Sequence, residues 1–224
     1  MASDAVGVEP KLVFFDLDGT ITHRDTLVPF VLRCAARHPV RALRLAGVLP
    51  ALLRYLLGRA DRGELKGALL RAALGGMTRE QIAAWTREFV PQLLARGVFR
   101  DALTAVRAHL EAGDHLVLMS ASVDLYVPDI GRALGFHETV CSRVRWSGDR
   151  LDGRLDGPNC RDLEKARQLE RIAPRFPGRL IVAYGNSAPD LDHLRLATRA
   201  VLVNAPPRLR ERAAALPVCF VHWR

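Results

Sequence analysis

Two carboxylates two residues apart, Asp16 and Asp18 in the run Phe14-Phe15-Asp16-Leu17-Asp18-Gly19-Thr20, are the side chains of this sequence best placed to do chemistry. The preceding Lys11–Phe15 is a short apolar run with β-branched and aromatic content, so it reads as a buried strand that ends at the acids. Ligands of open α/β sheets gather beyond the carboxyl ends of such strands. Carboxylates this close repel one another unless a cation neutralises them. A hard divalent ion, Mg2+ with water and a substrate phosphate completing its shell, suits the pair. Asp18-Gly19-Thr20 also suits a plain tight turn, although a turn has no need of Asp16.

Three further places have the residues a phosphate site wants. Ser120 ends a second apolar run, His115–Met119, so its hydroxyl and the neighbouring amide of Ala121 can face an anion, or the serine is simply a polar strand end. Ser122 reads as the N-cap of the next helix, with Asp124 in its first turn. Lys165 follows Asp162, an expected N-cap, and so sits in a first turn where the helix dipole disfavours a cation. That breach of a local rule points to an anionic partner, a phosphate or a neighbouring acid. Last, Gly185-Asn186-Ser187-Ala188-Pro189-Asp190 follows the strand-like Arg179–Tyr184 and leads into a helix opened by Pro189, so Asn186 and Asp190 can reach back toward Asp16.

The elements that must position these residues alternate between strand and helix, with one interruption. From about Thr26 to Leu94 the rhythm gives way to helical patterns over Leu27–Arg37, Val40–Leu57, Glu64–Leu74 and Thr78–Ala95, the last opened by Thr78 and Gln81 at capping-box spacing. Strand and helix then resume: a helix over Val123–Leu134, a hairpin of Val144–Trp146 and Arg150–Leu151 expected on the edge of the sheet, a last core strand at Ala200–Val203, a helix near Arg208–Ala215 and a short apolar tail. We therefore expect an α/β, Rossmann-like doubly wound parallel sheet built from residues 1–24 and 97–224, with an all-helical insertion over 25–96. Leu45–Leu53 is free of charge but too short for the ~20 residues of a spanning helix. It is either the apolar face of the inserted helices or an element lying on a membrane surface with Arg44 and Arg54 toward anionic headgroups.

Composition narrows the classes. At 224 residues, 49% of them hydrophobic, the chain can bury an ample core. Its four cysteines lack any C-x-x-C spacing, which argues against zinc or a disulfide framework and fits a reducing compartment. Met1–Pro10 has no signal-peptide character, so the expected setting is cytoplasmic. The net charge of +9 is spread along the chain and carries no nucleic-acid motif; no nucleic-acid partner is expected, and attraction to phosphate substrates or anionic lipid surfaces is the better reading.

Together the motifs resemble the haloacid dehalogenase (HAD) superfamily over nearly the whole chain: Asp16-x-Asp18-Gly19-Thr20 for its first motif, Ser120 for its second, Lys165 for its third, and Gly185–Asp190 at the spacing of its G-D-x-x-x-D fourth. The helical insertion is similar to a C1 cap, and Ser120-Ala121-Ser122-Val123-Asp124 with Cys160–Lys165 is similar to subfamily IB, which includes phosphoserine phosphatases and phosphatidylglycerophosphatases of the C type. The resemblance implies a Mg2+-dependent phosphomonoester hydrolase with Asp16 as nucleophile and Asp18 as acid and base. It implies Ser120, Ala121 and Lys165 on the phosphoryl oxygens, and Mg2+ held by Asp16, the Asp18 carbonyl, Asn186 and Asp190. The substrate would be a small phosphorylated metabolite or a phospholipid headgroup, the latter reached through peripheral contact of the Leu-rich, Arg-flanked His38–Pro50 segment with the inner face of the membrane. Asn186 departs from the family's Asp, which removes a negative charge from the metal site and leaves a second reading, a weak or inactive relative that binds a phosphorylated ligand.

Overall fold

The structure, a computed structural model, describes residues 9–224; the reading of Met1–Val8 lies outside them. The chain runs β1 (Leu12–Asp16), α1 (Leu27–Ala36), α2 (Pro39–Arg44), α3 (Leu49–Leu56), α4 (Arg62–Leu74), α5 (Arg79–Arg96), α6 (Arg100–Glu111), β2 (His115–Val123), α7 (Val127–Leu134), β3 (Glu138–Ser142), β4 (Val144–Ser147), β5 (Arg150–Leu155), α8 (Leu163–Ile172), β6 (Ile181–Gly185), α9 (Leu191–Leu194), β7 (Arg199–Val203), α10 (Pro207–Ala213) and β8 (Val218–Val221). Six strands form a parallel sheet in the order β3-β2-β1-β6-β7-β8. The chain builds outward from β1 on one side, then returns to build outward on the other. The reversal falls between β1 and β6, the place where doubly wound sheets leave a crevice for ligands.

Alternation along β1 divides the core. Val13 and Phe15 face one layer with Ala102 and Val106 of α6 and Ile130 of α7, whereas Leu12 and Phe14 face the other with Leu169 of α8, Leu194 of α9 and Leu209 of α10. All five residues of β1 are buried, as a central strand covered on both faces must be. Edge strands β3 and β8 escaped the sequence reading because Glu138–Ser142 is only half-buried and Val218–Val221 is a four-residue run with two exposed positions.

The inserted helices join the first of these layers. Phe30 of α1, Trp85 and Phe89 of α5 and Tyr126 beside α7 form one aromatic cluster, and the capping box at Thr78 and Gln81 is formed as expected. Val40–Leu57 is not one helix. It breaks into α2, a 3-10 turn at Leu45–Val48 and α3, since Gly47 weakens the helix and Pro50 has no N–H to donate backward.

The hairpin also departs from expectation. Strands β4 and β5 form their own antiparallel pair, apart from the main sheet. They pack on α4, where Gly67 faces Gly153 and a Cβ on Gly153 would lie 2.6 Å from the Arg71 backbone. Main-chain bonds stitch the two together: Gly76 N–H to Leu151 O at 2.9 Å, Leu151 N–H to Met77 O at 2.9 Å and Arg79 N–H to Asp149 O at 3.2 Å. At the other end of the insertion its two crossings run side by side, Thr22 bridging Val98, His23 N–H donating to Gly97 O at 2.9 Å and Phe99 N–H to Ile21 O at 3.0 Å.

Candidate functional site

Asp16 ends β1 at the crevice, and both its carboxylate oxygens are held. Oδ1 accepts from Lys165 Nζ at 2.5 Å and Oδ2 from the Thr20 hydroxyl at 2.8 Å. Burial pushes the Asp16 carboxyl up to about 7 against the opposing pull of Lys165, with Asp190 and Asp18 adding to the rise. Lys165 lies in the first turn of α8, buried, and its ammonium also donates to Asp190 Oδ1 at 2.7 Å. Burial alone would lower this lysine; Asp16 and Asp190 outweigh it and hold the charge in place. The unfavourable helix position is thus compensated by two carboxylates. Asp162 precedes α8 but makes no side-chain cap, its backbone lying at φ 50°.

Asp18 is held by a different set. Its Oδ1 accepts from Thr26 N–H and Thr26 Oγ1, both at 2.7 Å, and its Oδ2 from Ser122 Oγ at 2.8 Å and Ser120 Oγ at 3.2 Å. Burial raises its pKa, Asp25 adds to the rise, and the bonds from Thr26 and Ser122 oppose it. The expectation that Ser122 caps the next helix is corrected here. Strand β2 continues to Val123 with a register shift against β3 between Ser120 and Val123. Ser120 and Ser122, two apart on a strand, therefore turn the same way and meet Asp18. Thr26 does the same from the start of α1: its hydroxyl goes to Asp18 instead of capping the helix, and Asp25 Oδ1 accepts the Val28 N–H at 2.9 Å.

The fourth segment closes the site. Asp190 Oδ2 accepts from Asn186 N–H, Ser187 N–H and Ser187 Oγ at 3.1, 3.0 and 2.7 Å, so with Lys165 on Oδ1 both oxygens of this acid are engaged. Despite burial, which raises it, Lys165, with His193 and the Ser187 hydroxyl, holds the Asp190 carboxyl well below the ordinary range. The Asn186 amide packs so closely on Gly19 that a Cβ there would lie 2.0 Å from Nδ2, and Asn186 Oδ1 is buried without a partner.

Among the described residues no three His, Cys, Asp or Glu side chains gather round one point, so a cation would depend on other oxygens. The donors present fit Mg2+: the Asp16 carboxylate, the Asp18 carbonyl and the orphaned Asn186 Oδ1 are hard oxygen ligands, and a cation would satisfy the last of them. Asp190, also expected among the ligands, lines the same cavity with its oxygens engaged by Lys165 and the loop.

Above these groups lies a cavity of about 390 Å3, which Asp16, Asp18, Ala121, Ser122, Lys165 and Asp190 share with the inserted helices. The helices contribute mostly apolar wall, from Leu27, Val28, Val48, Leu52, Leu65 and Leu69, with Tyr55, Arg62 and Lys66 as its polar groups. Ser120 is fully buried beneath it. Lys66 is the residue the sequence reading missed. From α4 its ammonium donates to the Ala121 carbonyl and to Asn159 Oδ1, the latter at 2.6 Å, and the single Ser142 hydroxyl lies within donating distance of the same two oxygens, at 2.8 and 3.0 Å. Burial pulls Lys66 down to about 8, resisted by Asp18 and Asp25. The available signal was its rarity: only Lys11, Lys66 and Lys165 are lysines among 33 basic residues.

This arrangement can be set beside known proteins. The chain is 38% identical over 199 residues to Protein CicA of Caulobacter vibrioides, covering 86% of this chain and 85% of that one. It is 26% identical over 205 residues to Phosphoserine phosphatase SerB1 of Mycobacterium tuberculosis, covering 89% and 67%. Among solved structures it superposes on a Bordetella pertussis Tohama I protein of unknown function with a TM-score of 0.78 at 25% identity, over 95% of this chain and 98% of that one. A phospho-aspartyl intermediate analogue of phosphoserine phosphatase shares the fold, with a TM-score of 0.66 at 20% identity over 94% and 93%. The profile of the haloacid dehalogenase-like hydrolases matches residues 13–195, from within β1 to just past α9. That span takes in every residue assembled around Asp16, and the chain belongs to the haloacid dehalogenase-like hydrolase family.

Proposed function

We propose that this chain is a Mg2+-dependent phosphomonoester phosphatase that works through an aspartyl-phosphate on Asp16. The observation that carries the reading is the pairing of Asp16 with Lys165 at 2.5 Å, beside a second acid, Asp18, whose raised pKa suits it to hold a proton. In the first step an Asp16 oxygen bonds to phosphorus as the bond from phosphorus to the ester oxygen breaks, and Asp18 gives that oxygen its proton. In the second, water attacks the same phosphorus, Asp18 takes the water's proton, and the bond to Asp16 breaks, releasing inorganic phosphate.

Lys165, with Ser120 and Ala121 at the end of β2, would hold the phosphoryl oxygens. Asp16, the Asp18 carbonyl and Asn186, backed by Asp190, would hold Mg2+, which when bound supplies positive charge where phosphoryl charge builds up. We take residues 25–96 as a cap that selects the substrate over a core of 1–24 and 97–224, and the substrate as a small phosphorylated metabolite or a lipid phosphate. The four unpaired cysteines agree with a cytoplasmic setting.

The test is release of inorganic phosphate from an aryl phosphate across a Mg2+ titration, with Asp16→Asn alongside. Metal-dependent turnover that falls by at least about a thousandfold in the variant is expected. Asn186 favours one competing reading, a ligand-binding relative that turns over little or nothing. Absence of turnover in the wild type at every Mg2+ concentration would select it.

A further inference from the structure

Helices α2 and α3 bury none of their residues, yet four of the eight residues of α3 are leucine and α2 adds Val40 and Leu43. From Val48, which ends the 3-10 turn, through α3 the side chains divide by helical spacing: Val48, Leu52 and Tyr55 line the cavity, while Leu49, Leu53 and Leu56 point outward and are exposed. Leu43 on α2 and Leu56 on α3 are 77% and 69% exposed, and Val28 and Leu52 belong both to the outer surface and to the cavity wall, so the apolar face runs over the rim into the site. Exposed large apolar side chains gathered on one segment mark an interaction face.

The charge on the segment says what it meets. Residues 26–60 contain six arginines and no acid, so all 24 Asp and Glu of the chain lie elsewhere. Arg41 is spent inward on the Ala73 and Gly75 carbonyls and Arg54 pairs with Glu64 at 3.4 Å, whereas Arg44, next to Leu43, and Arg59, beyond Leu57, are exposed without an acid in the segment. Outward leucines flanked by arginine are the pattern of an element that lies in a bilayer interface over anionic headgroups. A second copy is the poorer occupant, because a two-fold contact would set these arginines against one another. No described helix is long and apolar enough to cross a membrane, so the contact is peripheral.

We infer that the α2–α3 face docks on the surface of an anionic phospholipid bilayer and opens the rim of the cavity there. This rests on the proposed phosphatase only for what the cavity does; the docking itself is read from the surface. The experiment is co-sedimentation with vesicles of phosphatidylcholine, or of phosphatidylcholine and phosphatidylglycerol in equal parts, for the wild type and for a Leu53→Glu, Leu56→Glu double variant. Aryl-phosphate turnover and the thermal midpoint are measured on the same preparations. Both substitutions are at exposed positions, so the fold and soluble turnover should persist while the fraction bound to anionic vesicles drops at least about tenfold.

Wild-type protein left in the supernatant with both vesicles would overturn the inference, and intact aryl-phosphate turnover beside it would leave the phosphatase standing. Equal sedimentation of wild type and variant would reduce the effect to adhesion of a cationic protein and also overturn it. So would a wild-type dimer in light scattering that the variant dissociates, since a second copy would then be the occupant.

Discussion

At the scale of single residues, Asn186 and Lys66 give the sharpest expectations. Asn186→Asp would add a carboxylate to a buried site that already holds Asp16 and Asp190. Without metal the thermal midpoint should fall by several degrees, roughly the effect of 1 kcal/mol in a domain of this size. With Mg2+ it should recover, and calorimetry should show about tenfold tighter Mg2+ binding than in the wild type; equal binding would remove Asn186 from the ligand set. Lys66 makes a prediction about pH. Its folded pKa of about 8 lies below the unfolded value of 10.5, so between these values the unfolded chain binds more protons and stability rises with pH. The burial penalty is therefore greatest below pH 8. Urea unfolding should show Lys66→Met gaining most on the wild type near neutral pH and the gap closing toward pH 10; a constant gap would mean that the lysine does not titrate in the fold. Asp16, Asp18, Lys165 and Asp190 were legible in the sequence because each sits in a local pattern of strand end, turn or helix start. Lys66, Thr26, Ser122 and Asn159 were not, because their roles arise only when the inserted helices and the end of β2 come together. Ser122 in particular has the sequence context of an N-cap, and only a strand bulge, invisible in residue types, gives it to Asp18 instead.

At the scale of elements, the contact between α4 and the β4–β5 hairpin turns on two glycines with opposite expectations. Gly153 has φ +90° and no room for a Cβ against the Arg71 backbone. Gly153→Ala should therefore cost about 2 to 3 kcal/mol in urea unfolding and push α4 away from the hairpin. Gly67 lies inside α4, and a Cβ there would make ordinary contacts of 3.5 and 3.7 Å. Gly67→Ala should stabilise by about 0.5 to 1 kcal/mol. The pair of signs tests the packing better than either variant alone. The sequence disclosed the central strands β1, β2, β6 and β7, whose apolar runs follow from burial on both faces. It also disclosed the boundaries of α1 and α5, the latter through its capping box. It did not disclose α6, which went unassigned between the insertion and β2, or where the hairpin docks, since period and turn residues define a hairpin without naming its partner.

At the scale of the whole molecule, two lines of main-chain bonds fasten the insertion to the rest of the chain, beside its side-chain contacts. One is the paired crossings at Thr22 and Val98, the other the stitch between Gly76–Arg79 and the hairpin. The crossings flank the points where the chain enters and leaves the insertion, whereas the stitch lies at its other end, so lifting the inserted helices away from Asp16 should break the second line before the first. Amide hydrogen exchange reads these lines separately. The N–H groups of His23 and Phe99 should exchange only through global unfolding, and those of Gly76 and Leu151 through the smaller opening that exposes the cavity. The protection factors of Gly76 and Leu151 then give the equilibrium between closed and open forms in solution, and those of His23 and Phe99 the global unfolding against which it is compared, without substrate, metal or any substitution.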